Sequence, residues 1–166
     1  DGLLDAERFN SPQYFGRTAF AYGTMSDIVE GLDREDADFP KLVAALSAEA
    51  NLPSQADADA KDALDVEARA ETLDLFSCLD CHPFHESGSE DAPDLTGYGS
   101  RAWLKAIIAN PASDRFYGRT NDRMPAFARH VGEETLLTDE EIDLLARFLR
   151  GEDLSAPQWL PERNTI

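Results

Sequence analysis

The sequence is poor in cysteine and in long apolar runs. Two cysteines among 166 residues exclude a disulfide-rich scaffold. The longest apolar stretches are interrupted pieces such as WLKAIIA, whereas a membrane-spanning helix needs about 20 consecutive apolar residues. The sequence therefore predicts a domain that folds in water around a core of its own.

Basic residues are also scarce. Fifteen Lys and Arg stand against 33 Asp and Glu, which gives a formal net charge of −18. This charge argues against nucleic acid or an anionic membrane surface as the main partner and favours a basic partner protein. The alternative is that the acidity only keeps the domain soluble. We expect membrane association only through an anchor or a partner subunit outside this sequence.

No signal peptide is visible, and the first residue is Asp1, so we expect a mature or excised piece. Strand-like alternation is lacking too, and the sequence predicts an all-α fold. The clearest helix follows Thr138, whose side chain can form a capping box with Glu141, and Gly151 ends it. Its predicted inward stripe consists of Ile142, Leu145, Phe148 and Leu149.

Four further helices are predicted. One follows the N-cap Ser100, with Trp103 and Ile107 on its inner face. Another runs from about Asp62 to Phe76 and leads directly into the first cysteine. Leu64, Ala68 and Leu75 are predicted to face inward, with Val66 and Leu73 as further candidates. The last two cover residues 24–32 and 39–50.

Both cysteines lie in CLDCH, residues 78–82. C-x-x-C-H is the attachment motif of haem c. Two thiols about one helical turn apart can add to the two vinyl groups of a porphyrin, and the following histidine then reaches the iron. We therefore predict one covalent haem on Cys78 and Cys81, with His82 as the proximal ligand.

Two other functions of a C-x-x-C motif compete with haem attachment. A zinc site would need four ligands from Cys78, Cys81 and the three histidines, at spacings unusual for zinc. A thioredoxin-like dithiol would stand at a helix start after a strand, in a βαβ context that the pattern does not show. Both readings are weaker than a haem site.

Met124 is the predicted distal ligand. It lies in NDRMPAFARH, among polar residues and before a proline, where no apolar core stripe runs. Met25 and His130 are rival candidates. His85 lies on the same side of the haem as His82, so we expect it to be exposed or near a propionate. A His/Met pair predicts a comparatively high reduction potential and no open coordination position, so the domain transfers electrons and catalyses no reaction by itself.

Four residues are predicted around these ligands. The carbonyl of Pro93 is placed to accept the Nδ1 proton of His82, which would fix the tautomer and raise the basicity of the ligand. Contact with a propionate or with the haem edge is predicted for Tyr98, Arg101 and Trp103.

An internal repeat bears on domain organisation. SPQYFGRT at 11–18 matches SDRFYGRT at 113–120, and a methionine follows each. Downstream, FPKLVAALSAEA takes the place of EIDLLARFLRGE. We predict a haem-free degenerate or truncated half-domain over 1–50, an acidic linker over 51–61, a mono-haem domain over 62–153 and a tail over 154–166. An apolar face left by the missing half makes a homodimer possible.

FSCLDCH, APDLTGYGSRAWL, RFYGRTNDRMPAF and LTDEEIDLLARFLRG together resemble a class I cytochrome c domain, over about residues 62–152. More narrowly, they resemble the haem c domains attached to cytochrome b in bacterial quinol:cytochrome c oxidoreductase complexes. The resemblance implies an extracytoplasmic domain, tethered through its parent complex beside cytochrome b or Rieske-type subunits and ligated by His82 and Met124. One departure is the loop PFHESGSEDAP, where the usual glycine is displaced.

Three alternatives stay open. A freestanding soluble cytochrome c would need no partner subunit. A haem enzyme or sensor would need an open coordination position. A zinc-binding interaction module would be colourless.

Overall fold

The computed structural model describes residues 4–61, 64–121, 124–128, 130–131 and 134–155. Within these ranges the chain forms seven α-helices: α1 Ala6–Phe9, α2 Thr24–Gly31, α3 Phe39–Ala50, α4 Ala56–Lys61, α5 Val66–Leu75, α6 Arg101–Ala109 and α7 Asp139–Leu149. The all-α class is confirmed. Across the described part of the chain, no helix combines the length and the apolar content needed to cross a bilayer.

The predicted helix starts are found where the capping residues place them. The Thr138 hydroxyl accepts the amide of Glu141 at 3.2 Å, and the Glu141 carboxylate accepts the amide of Thr138 at 2.8 Å, which completes the capping box of α7. Ser100 caps α6 by accepting the amide of Trp103 at 3.2 Å. Such caps satisfy amides that have no partner within the helix.

A short hairpin adds to the predicted helices. Strands β1 His130–Val131 and β2 Glu134–Thr135 pair antiparallel shortly before α7. Each strand has two residues, too few to show an alternating pattern in the sequence. The hairpin leaves the fold class unchanged.

The segment 51–61, predicted as an acidic linker, is folded. A 3₁₀ turn spans Pro53–Gln55, and α4 follows at once. The Ser47 hydroxyl of α3 contacts Gln55 Oε1 at 2.7 Å and Asp59 Oδ1 at 3.1 Å. Alanine has the highest helix propensity, so the alternating alanines of α4 allow a helix without large apolar residues. The domain boundaries themselves stay a prediction.

The predicted inward faces of α5 and α7 are only partly buried. Leu73 of α5 is buried, but Leu75 is 64% exposed; Asp62 lies outside the described residues. In α7, Ile142 is buried whereas Phe148 is 65% exposed. The reason is the pairing of the helices, since α5 packs mainly against α3 and α7 mainly against α6.

Residues 4–50, called the N-terminal unit below, contact the rest of the chain at several places. The Arg150 guanidinium, at the end of α7, donates to the carbonyl oxygens of Ala50 at 2.6 Å, Asn51 at 2.8 Å and Gly99 at 2.9 Å. On another side, the rings of Phe20 and Tyr117 lie 5.5 Å apart. The N-terminal unit is therefore packed on the region with the CxxCH motif.

The repeated octapeptides adopt similar turns. Three pairs of backbone hydrogen bonds correspond: Gly16 N to Ser11 O and Gly118 N to Ser113 O; Thr18 N to Phe15 O and Thr120 N to Tyr117 O; Phe15 N to Phe9 O and Tyr117 N to Pro111 O. The likeness ends downstream, where α2 follows the first turn and β1 lies beyond the second. These bonds support the predicted tandem repeat, which stays a prediction.

Apolar side chains form two clusters, and each is packed against residues of the predicted site. The cysteine-side cluster is built on Leu4, Phe39, Leu42, Leu73 and Phe84, and Cys78 and Leu79 pack against it. The methionine-side cluster is built on Trp103, Ile107, Ile108, Phe116 and Ile142, and Tyr98 and Met124 pack against it. The two predicted ends of the haem site thus belong to different clusters.

Candidate haem site

The CxxCH motif forms one tight turn directly after α5. Ser77 adopts a left-handed conformation with φ 57° and redirects the chain into a 3₁₀ turn over Cys78–Asp80. The amides of Cys81 and His82 both donate to the carbonyl of Cys78, at 3.4 and 3.0 Å. The two thiols and the imidazole are therefore held within a single turn, as attachment to one porphyrin requires.

One hydrogen bond fixes the imidazole of His82. Its Nδ1 lies 2.7 Å from the carbonyl oxygen of Pro93. Since a carbonyl only accepts, Nδ1 carries the proton and Nε2 keeps its lone pair for a metal. Burial lowers the pKa of His82, and the Pro93 carbonyl opposes this with a smaller effect. The ring is thus neutral at pH 7, the state that binds iron.

The two thiols of the motif are not joined to each other. Both cysteines are free and half-buried. Burial raises the pKa of Cys78 to about 11, and the carboxylate of Asp80 adds to this rise. The sulfur of Cys78 therefore stays a protonated thiol at neutral pH.

Gly88 is needed to close the loop that follows His82. Its φ is +89°, and a Cβ added there would lie 2.1 Å from the carbonyl oxygen of His82. Only glycine allows both this conformation and this close approach. The sequence pattern does not predict this role of Gly88. PFHESGSEDAP shows a displaced glycine, but a lone glycine between two serines gives no sign of its contact with His82.

Met124 is half-buried and lies outside the cysteine-side cluster. It packs against the methionine-side cluster, and Asn121 Nδ2 donates to its carbonyl oxygen at 2.8 Å. Its neighbours Asp122 and Arg123 lie outside the described residues. A thioether held against aromatic and aliphatic groups suits a soft axial ligand.

The other predicted contact residues fall into two groups. Tyr98 and Trp103 lie with Met124 in the methionine-side cluster, their rings 5.0 Å apart, and Trp103 Nε1 donates to the carbonyl of Asp94 at 2.8 Å. Burial raises the pKa of Tyr98 to about 12. Arg101 is exposed and forms a two-pronged ion pair with Asp143 of α7. Its contact with a propionate stays a prediction.

The rival ligands are placed as follows. The Nε2 atom of His85 lies 3.4 Å from the carboxylate of Glu49, so this ring contacts a residue of α3. This position also argues against a zinc site that would recruit His85. Met25 stands at the start of α2 in the N-terminal unit and is 37% exposed. The side chain of His130 lies outside the described residues.

Comparison with known proteins shows which protein family the chain belongs to. The profile of the Cytochrome c family matches residues 68–152, just over half of the chain. The chain belongs to this family, and the family implies covalently bound haem c. Comparison with curated proteins and with solved structures gives no match.

The residues present fit that cofactor. Two reduced thiols in one turn can form the thioether bonds, and the neutral His82 ring offers Nε2 to the iron. The CxxCH turn spans 78–82 and so lies inside the matched range. The chain is therefore a haem protein of the electron-transfer type, and cytochrome c domains are typically extracytoplasmic.

Proposed function

We propose that the chain transfers single electrons through a haem c ligated by His82 and Met124. The observation that carries this proposal is the CxxCH turn in which the ring of His82 is fixed by Pro93. Met124, half-buried against the methionine-side cluster, is the proposed second ligand. When bound, the haem supplies the one-electron iron couple. The protein holds the imidazole, offers the thioether and surrounds that thioether with apolar side chains.

The ligand pair limits the chemistry. A thioether stabilises ferrous iron relative to a second imidazole and closes the sixth position to oxygen and peroxide. Met124 and Tyr98 both pack against the apolar cluster that contains Trp103, which gives the proposed ligand an apolar environment. We expect the ferric protein to show the methionine-to-iron charge-transfer band in the near infrared. Its absence from folded, haem-loaded protein would refute Met124 as the ligand.

The electron acceptor is proposed to be a basic protein. Seven exposed acids surround the motif, on α5 and on the loop after it, and are called the acidic face here: Glu67, Glu71, Asp74, Asp80, Glu86, Glu90 and Asp91. Among the residues that the structure describes, none of them forms an ion pair, whereas Asp5, Glu49, Asp94 and Asp143 all do. A basic surface docking there would approach the thioether edge of the haem, since Leu79 and Asp80 lie within the motif.

We further propose that the chain works as the extracytoplasmic cytochrome c domain of a membrane complex that oxidises quinol. The support is the resemblance of its loops to such domains. Solubilised membranes of the source cells, separated on a native gel and probed with an antibody to this chain, test the proposal. We expect the antibody signal to migrate with b-type haem. Recovery of the intact protein only from the soluble fraction would favour the freestanding carrier instead.

A further inference from the structure

Glu49 is a buried carboxylate in the last turn of α3, with a side chain that is 5% exposed. Three groups from outside the N-terminal unit surround it. Arg69 Nη1 lies 2.6 Å from Oε1, the amide of Gly97 donates to Oε2 at 2.6 Å, and His85 Nε2 lies 3.4 Å from Oε1. A buried carboxylate is tolerated only when it is paired in this way, so its partners are strongly held.

Two of these partners lie in the loop that begins at His82. One lies near the start of the loop, called the first arm, and the other near its end, called the second arm. His85 belongs to the first arm, and Gly97 follows Pro93 on the second. The arms are also joined to each other, since the amide of His85 donates to Thr96 Oγ1 at 2.6 Å. Because Pro93 accepts the proton of His82, the relative position of the arms sets that hydrogen bond.

The backbone of the loop needs support of this kind. His85 has a φ of +51°, a left-handed conformation that is unfavourable for a residue with a Cβ. Such conformations persist where surrounding contacts over-determine them. Here the contacts come from Thr96 to the backbone of His85 and from Glu49 to its ring.

We propose that Glu49 is a positioning residue for the proximal histidine. From α3 it clamps the two arms of the loop and so holds the carbonyl of Pro93 against Nδ1 of His82. This inference rests on the proposed function, in which His82 binds the iron. It assigns a role to the N-terminal unit, which contains no CxxCH motif of its own among its residues but completes the haem site of the following domain.

Loss of the clamp has a predictable electronic effect. A weaker hydrogen bond at Nδ1 lowers the basicity of the imidazole, which stabilises ferric iron less. Removal of a buried negative charge also favours the ferrous state. Both effects raise the proportion of reduced protein at a fixed ambient potential.

The test compares three variants of the haem-loaded protein. Glu49→Gln removes the carboxylate, and Glu49→Gln with Arg69→Gln removes both charges of the pair. Asp38→Asn is the matched control, because it lies just before the same helix, removes the same charge and breaks an exposed pair with Lys41. The measurements are hydrogen exchange at the amide of Gly97 and the ratio of ferrous to ferric protein at one ambient potential.

In both Glu49 variants we expect exchange at Gly97 to accelerate by about tenfold or more and the ferrous to ferric ratio to rise by about threefold or more. In the control Asp38→Asn, we expect both the exchange at Gly97 and the ferrous to ferric ratio to stay unchanged. The double variant leaves no unpaired buried charge, so it keeps the test open if Glu49→Gln alone fails to fold.

Two results would overturn the proposal. One is unchanged protection of Gly97 in the double variant. The other is a ratio that shifts in the single variant and returns to the native value in the double variant, which would show an effect of charge alone. Failure of the proposed function looks different, because the unmodified protein would then lack the spectrum of a low-spin His/Met haem.

Discussion

His82 Nδ1 lies 2.7 Å from the carbonyl oxygen of Pro93, eleven positions further along the chain. This contact decides which ring nitrogen carries the proton and therefore which one is left free to bind a metal. It also makes the loop between the two residues part of the haem site.

The first prediction concerns the distal ligand. Met124→Ala should abolish the methionine-to-iron charge-transfer band and open the sixth position, so that the ferrous variant binds carbon monoxide rapidly at neutral pH. Met25→Ala is the matched control and should leave the spectrum unchanged. Rapid binding of carbon monoxide by the unmodified protein would instead favour a haem enzyme or sensor.

The second prediction concerns Gly88. Gly88→Ala should lower the free energy of unfolding by about 2 kcal/mol or more, because the added methyl group collides with the carbonyl of His82 and the backbone conformation is left-handed. Gly31→Ala is the control, since a Cβ added at that position would have nothing within 4 Å. Urea unfolding followed by haem absorbance measures both. Equal stability of the two variants would contradict the close contact.

The loop shows what the sequence could and could not predict. The CxxCH motif and the candidate acceptor Pro93 were identified from short patterns with known chemistry. The contacts of Gly88 and Glu49 were not. Gly88 meets the carbonyl of His82 only because of the way the loop between them folds back, and Glu49 meets Gly97 across 48 positions. No short sequence pattern reports either contact.

The helices show the same limit. The capping box at Thr138 and Glu141 fixed the start of α7, since capping is local chemistry. The exposure of Phe148 and Leu75 did not follow from their spacing, because that depends on which helices pair. Helix α4 was not predicted from the sequence, because its alanines favour helix formation but do not form an apolar stripe.

The third prediction concerns the acidic face. Glu71→Gln with Asp74→Asn should slow electron transfer to a basic mobile cytochrome c by about threefold to tenfold at low ionic strength, through a lower association rate. The effect should shrink as salt is raised. Glu7→Gln with Glu35→Gln, two exposed acids of the N-terminal unit, is the control. Stopped-flow mixing measures the rates, and equal slowing in both double variants would argue against a defined docking face.

The fourth prediction concerns pH and the ion pairs between α6 and α7. The hydrogen bond from Arg101 holds the pKa of Asp143 below its ordinary value of 3.8. A carboxyl with a lowered pKa contributes stability above its unfolded pKa and loses that contribution as the pH falls through its folded pKa. Asp143→Asn should therefore reduce the free energy of unfolding by about 1 kcal/mol or less at pH 7, because the partners are partly exposed.

The difference between Asp143→Asn and the unmodified protein should disappear as the pH falls below 3.8, which urea titrations at a series of pH values will show. Glu71→Gln serves as the control, since its carboxylate forms no ion pair within the described part of the chain. A stability difference that is constant down to the lowest pH would show that Asp143 acts through packing instead.

The most direct test of the account is extraction of the purified protein with acidified acetone. Thioether bonds from Cys78 and Cys81 should keep all of the pigment with the precipitated polypeptide, and its pyridine haemochrome should have the absorption maximum of a haem with both vinyl groups saturated. Pigment that passes into the acetone, or a purified protein without colour, would contradict covalent haem c and the function proposed from it.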